Sequence, residues 1–175
     1  MEFSERFEIF TTAITKTYKI IQKIKIAEAE RIGLKGSQVM YMYYLGKNQD
    51  GLTPIELSNL CVEDKSAVSR AIVELTNKGF VKSSNDSSNQ KYRVKIILTE
   101  KGKDINRQIN RAIAIAVDKA SKDLTENERE NFYNVFYRIS DNLEVMNNSY
   151  LCKLKNNTQL NFITYISLKN YQFIW

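Results

Sequence analysis

Residues 53–80, TPIELSNLCVEDKSAVSRAIVELTNKGF, hold two helical patterns separated by a short break. Thr53-Pro54-Ile55-Glu56 opens the first as a capping box. The Thr53 hydroxyl can accept from the backbone N–H near Glu56, the Glu56 carboxylate can reach back, and Pro54 suits the first helical turn. Leu57, Leu60 and Cys61 form its expected apolar face. Val62-Glu63-Asp64 breaks the period, and Asp64 is placed to cap a second helix. In that helix Val68, Ile72 and Leu75 recur at i, i+4 and i+7, so they are expected to face a core. Lys65, Ser66, Ser69 and Arg70 are left on the opposite side. Short hydroxyls beside long cations suit a helix lying in a DNA major groove. There hydroxyls bond phosphates or base edges, and arginine pairs bidentately with guanine.

The next residues extend the pattern. Gly79 stands where a helix is closed by a glycine. Phe80-Val81-Lys82 begins an extended segment, Ser83 to Gln90 is a polar turn, and Tyr92 to Leu98 is rich in β-formers. Leu52-Thr53 is expected to add a short first strand. A helix-turn-helix followed by a hairpin is a winged helix-turn-helix, its wing tip free to reach a neighbouring groove or backbone. The expected fold class is mainly α with a small β-hairpin.

Three segments, Asp64-Lys65-Ser66-Ala67-Val68-Ser69-Arg70, Leu75-Thr76-Asn77-Lys78-Gly79-Phe80-Val81 and Leu98-Thr99-Glu100-Lys101-Gly102, resemble in order and spacing the MarR family of bacterial transcriptional regulators. The similarity extends over roughly Phe3 to Asn147. It implies a MarR-like domain over residues 1–147. Within that domain the winged helix-turn-helix covers about 34–98 and dimerisation helices cover about 3–32 and 99–147. Residues 148–175 are left as an extension of unknown role. The resemblance also implies a dimeric, sequence-specific regulator of double-stranded DNA, most often a repressor, released by a small molecule or another signal. Two recognition helices related by a two-fold axis would read a pseudo-palindromic operator.

The family wing usually carries Asp-x-Arg, the Arg entering the minor groove. Counting back from Leu98-Thr99, the matching positions are Gln90, Lys91 and Tyr92, so both residues differ. Lys91 and Arg93 are the candidates to replace them as phosphate or groove contacts. In the family a crevice beside the second helix takes small aromatic ligands. Tyr18, Met40, Tyr43 and Tyr44 are the candidates for it here, although Tyr and Met at helical spacing equally fill a core.

The flanking helices carry aromatic stripes. Phe3, Phe7, Phe10, Ile14, Tyr18 and Ile21 recur at three- and four-residue steps, more apolar surface than a small winged domain covers. Thr99 is expected to cap a helix toward Lys122, and Thr125-Glu126-Asn127-Glu128 is a second capping box. Phe3, Phe7, Phe10, Phe132, Phe136 and Ile139 are the expected homodimer contacts.

Composition narrows the function classes. The net charge is +6, and residues 65–95 hold seven cations against two acids, so most of the charge falls on the segment expected to meet DNA. With no histidine in the chain, Ser-His-Asp, Cys-His and histidine–metal chemistry are excluded. No phosphate-cradling glycine loop appears. The chain is therefore expected to be neither an enzyme nor the holder of a metal or cofactor. Cys61 and Cys152 do not make a disulfide framework. Cys61 is expected to be a buried, inert thiol rather than an oxidant sensor. The opening Met1-Glu2-Phe3-Ser4-Glu5 is unlike a signal peptide and no apolar run spans a bilayer, so a cytoplasmic protein without a membrane partner is expected. A second reading stays open: a winged-helix interaction module or antagonist that has lost specific DNA readout.

Overall fold

A computed structural model describes residues 2–84 and 94–156. The elements in order are α1 (Phe3–Arg31), α2 (Gly36–Lys47), α3 (Pro54–Cys61), α4 (Lys65–Asn77), β1 (Val81–Ser83), β2 (Ile96–Leu98), α5 (Glu100–Ala120) and α6 (Glu126–Asn156). They form two compact units, Met1–Ala120 and Ser121–Trp175. The fold class is the expected one: helices with one small antiparallel sheet.

In the first unit α2 is the hub, packing against α1, α3, α5 and β2. Tyr41, Met42, Leu57, Val68, Leu75 and Val81 are fully buried at its centre. Withdrawing an aliphatic side chain of this size from water contributes about 2 kcal/mol. Val68 and Leu75 bury the inner face of α4 as its period requires, and Ile72 is half-buried beside them. On α3, Leu57 enters the core whereas Leu60 is exposed. Only one side of that two-turn helix faces α2 and α4, and Leu60 falls outside it.

The sheet pairs Val81 with Leu98, Lys82 with Ile97 and Ser83 with Ile96. The expected first strand at Leu52-Thr53 is reduced to a bridge between Leu52 and Ile96. Thr53 cannot extend it, because it is already the N-cap of α3 and accepts from Glu56 N. Of the expected return strand, Ile96–Leu98 is β2, and Val94 and Lys95 just before it are not in a strand. Gln90, Lys91, Tyr92 and Arg93 lie outside the described residues.

The start of α5 is fastened to the end of α4. Thr99 N donates to Phe80 O at 3.0 Å. The Thr99 hydroxyl donates to Gly79 O at 2.6 Å and accepts from Gly102 N at 3.0 Å, capping α5. The Lys101 ammonium donates to Lys78 O at 2.9 Å and lies 4.9 Å from the Phe80 ring centre. Two of the three segments that carry the family resemblance are thus partners in one joint.

The second unit holds α6, opened by the expected capping box. Thr125 N donates to the Glu128 carboxylate at 2.7 Å, and Glu128 N donates to the Thr125 hydroxyl at 3.3 Å. The helix continues without a break through Asn147 to Asn156. Phe132 and Phe136 stack along it with ring centres 5.7 Å apart. Among the described residues, no helix is long and apolar enough to cross a membrane.

Candidate nucleic-acid interface

The turn between α3 and α4 is built on a strained residue. Val62 adopts a left-handed conformation with φ 53°, uncommon for a β-branched side chain. Its neighbours hold it there. Glu63 N donates to Ser58 O at 3.1 Å, and the Ser58 hydroxyl donates to Glu63 O at 2.6 Å. The fully buried Tyr41 of α2 donates its hydroxyl to the Glu63 carboxylate. Burial, and then this bond to Glu63, push the Tyr41 phenol well above its ordinary range, so it stays a donor.

Two further points fix α4. In its third turn, the Glu74 carboxylate receives the Lys35 ammonium at 2.7 Å and the side-chain amide of buried Gln38 at 2.8 Å. Gln38 in turn accepts from Lys35 N at 3.0 Å, so one buried amide ties the start of α2 to α4. The bond from Lys35 is the main reason the Glu74 carboxyl titrates below its usual range. At the C-terminal end, Lys78 Nζ donates to Gly33 O at 2.7 Å. Turn, middle and end of the helix are therefore all referred to α2 or to the α1–α2 connection.

The N-terminus is capped as expected. Asp64 accepts from Ser66 N at 2.7 Å and also from the Ser66 hydroxyl, and these bonds lower the Asp64 carboxyl. Lys65, Ser66, Ser69 and Arg70 are all exposed and share the side of α4 opposite Val68, Ala71 and Leu75. The structure brings these four together. It also shows what their hydroxyls do. Ser69 donates to Lys65 O at 2.8 Å, Thr76 to Ile72 O at 2.8 Å, and Ser66 to Asp64. The hydroxyl hydrogens turn inward along the helix, a common arrangement for Ser and Thr within a helix. The serines thus present acceptor lone pairs outward, whereas Lys65 and Arg70 supply the donors. Arg70 leans on this array, with Nη1 3.5 Å from the Ser66 hydroxyl.

Sequence reading missed Val73. It is 59% exposed and lies one turn beyond Ser69 and Arg70. Its signal is the helical period: seven residues after Ser66, it is out of phase with Val68, Ile72 and Leu75.

The other candidates are distributed differently. Phe7, Phe132 and Phe136 are exposed, Phe10 and Ile139 are half-buried, and the Phe3 side chain lies outside the described residues. Tyr18 is exposed on α1. Met40, Tyr43 and Tyr44 are half-buried, and the rings of Tyr43 and Tyr44 meet edge to face at 5.5 Å. Their neighbours Tyr41 and Met42 are core. A groove of about 800 Å³ runs between α1 and α5, lined by Ile24, Arg31, Arg111, Ala112 and Ile115 among others; none of the four Tyr and Met candidates lines it. Cys61 is half-buried, and burial, with Glu63 nearby, pushes its thiol up to about 11. A thiolate sensor has the opposite shift. The Cys152 side chain lies outside the described residues. Among the described residues, no group of Cys, Asp and Glu is arranged to hold a metal ion.

No family model matches the chain. It is 25% identical over 126 residues to YybA of Bacillus subtilis strain 168, an uncharacterised HTH-type transcriptional regulator, covering 72% of this chain and 83% of that protein. The transcriptional regulator SlyA superposes with a TM-score of 0.69 at 25% identity, covering 77% of this chain and 93% of its own. The chain has the winged helix-turn-helix fold of the MarR-family regulators. A MarR-family regulator from Listeria monocytogenes, solved with a 26-mer DNA, has the same fold at TM-score 0.71 and 23% identity, covering 85% of this chain and 95% of its own. These similar proteins are transcriptional regulators, a class without enzymatic activity, in agreement with the expectation that the chain is not an enzyme.

Proposed function

We propose that the chain is a cytoplasmic, homodimeric, sequence-specific regulator that binds double-stranded DNA through α4. The observation that carries this reading is the outward face of α4. Two cations and two short hydroxyl residues, Lys65, Arg70, Ser66 and Ser69, share one exposed face of a capped helix whose opposite face is core. Arg70 is assigned to a base edge, and Lys65 to a phosphate or a base edge. The serine oxygens accept from base amino groups. Lys91 and Arg93 are assigned to the wing contacts on charge alone. The likeness to transcriptional regulators supports the same reading.

Dimerisation is assigned to the aromatic faces of α1 and α6. Phe7, Phe132 and Phe136 leave large apolar surfaces open, as an association face does. A two-fold pair of α4 helices would bind half-sites about 34 Å apart, hence a pseudo-palindrome. Repression would follow from occupying a promoter. Release is assigned to a small molecule. The α1–α5 groove, with arginines over an apolar floor, suits an anionic aromatic one.

The test is selection from a pool of randomised duplex DNA at two salt concentrations, followed by sequencing of the retained molecules. A recovered pseudo-palindrome, bound more weakly as salt rises, is the expected result. Weak binding blind to sequence would overturn the reading. It would favour an interaction module, which the replacement of the family's wing Asp and Arg by Gln90 and Tyr92 already makes a definite alternative.

A further inference from the structure

We infer that Val73 is a specificity-determining residue that reads the 5-methyl group of a thymine; the inference rests on the proposed binding of DNA by α4. At about 100° per residue, Ser66, Arg70, Val73 and Asn77 project closest to the direction opposite Val68, Ala71 and Leu75. Val73 is therefore central to the outward face, not at its margin. It is the only apolar residue among the exposed residues of α4, the others being Lys65, Ser66, Ser69, Arg70, Thr76 and Asn77.

A single exposed valine on a protein surface is ordinary. This one is distinguished by what surrounds it. The hydroxyl hydrogens of Ser66, Ser69 and Thr76 are turned back onto Asp64, Lys65 O and Ile72 O, so the polar neighbours offer few outward donors. The middle of the face thus presents a guanidinium and an isopropyl group. In the major groove the complementary features are the guanine O6/N7 edge and the thymine methyl. Arg70 and Val73 are three residues apart, about 4.5 Å along the helix axis, against base pairs stacked about 3.4 Å apart. The thymine therefore falls within about two base pairs of the guanine that Arg70 contacts.

The measurement uses the full-length protein and the operator recovered by selection. Each thymine of one half-site is replaced in turn by deoxyuridine, which removes the methyl and leaves pairing unchanged. Binding is followed by fluorescence anisotropy for the wild type and for Val73→Ala, with circular dichroism to show that the variant is folded. One position near the Arg70 contact is expected to lose about fourfold in affinity with the wild type, the value of one buried methyl, and to lose almost nothing with Val73→Ala. A specific operator whose thymines are all insensitive, or equally sensitive in both proteins, overturns the Val73 inference and leaves the reading of α4 intact. Failure to recover any specific operator overturns the reading itself, and this inference with it.

Discussion

Gly102 lies directly under the carbonyl of Phe80: a Cβ added to Gly102 would stand 1.9 Å from Phe80 O. No side-chain rotation relieves such an overlap, because the obstacle is backbone and the same carbonyl accepts from Thr99 N. Gly102→Ala is therefore expected to push α5 off the end of α4. The loss should be about 3 kcal/mol or more, read as a lowered midpoint in urea unfolding. A midpoint unchanged from the wild type would mean that the joint yields freely.

Arg70→Ala should leave the fold intact, since Arg70 is exposed and its protein contact is a long bond to Ser66 within the same helix. Specific binding should weaken by about 1–3 kcal/mol, and base preference should relax at one position of each half-site. Equal losses on specific and unrelated DNA would assign Arg70 to a phosphate instead.

Acid should loosen the helix-turn-helix. The Glu74 and Asp64 carboxyls titrate below their ordinary values of 4.5 and 3.8, chiefly because of Lys35 and Ser66 respectively. A depressed folded value means that the interaction stabilises fully above the ordinary value and is lost as pH falls through the folded one. The melting temperature should be level from neutral pH down to about pH 5 and fall below that. Glu74→Gln should start lower and fall less. An equal acid slope in the variant would show that Glu74 contributes nothing to it.

In a Cys152→Ser background, Cys61 should react with iodoacetamide at least about 100-fold more slowly than free cysteine at pH 8. A thiol raised to about 11 is almost wholly protonated there. Rapid labelling would contradict the raised thiol, and loss of DNA binding under mild peroxide would point to an oxidant sensor instead.

Much of this was legible in the sequence, for identifiable reasons. The capping residues Thr53, Asp64, Thr99 and Thr125 act within three positions of themselves, so local chemistry fixed four helix starts. The period of Val68, Ile72 and Leu75 likewise gave the buried side of α4. Long-range partners were not legible. Nothing in the spacing of Tyr41 and Glu63, or of Gln38 and Glu74, announces that they meet, because those pairs depend on how α2 crosses the helix-turn-helix. The orientation of the Ser66 and Ser69 hydroxyls was also hidden. A sequence records a donor but not the carbonyl that takes its proton.

The three anchors of α4 are Glu63 in the preceding turn, Glu74 on its flank and Lys78 at its end, whereas Lys65, Ser66, Ser69, Arg70 and Val73 make no hydrogen bond that the described residues place on another element. Residues that hold the helix and residues that face outward are therefore different sets. Apart from Ser66, whose hydroxyl bonds the Asp64 cap, the outward set can be exchanged residue by residue without loosening the scaffold. A lineage carrying this chain could drift from one target sequence to another while its stability stays nearly constant.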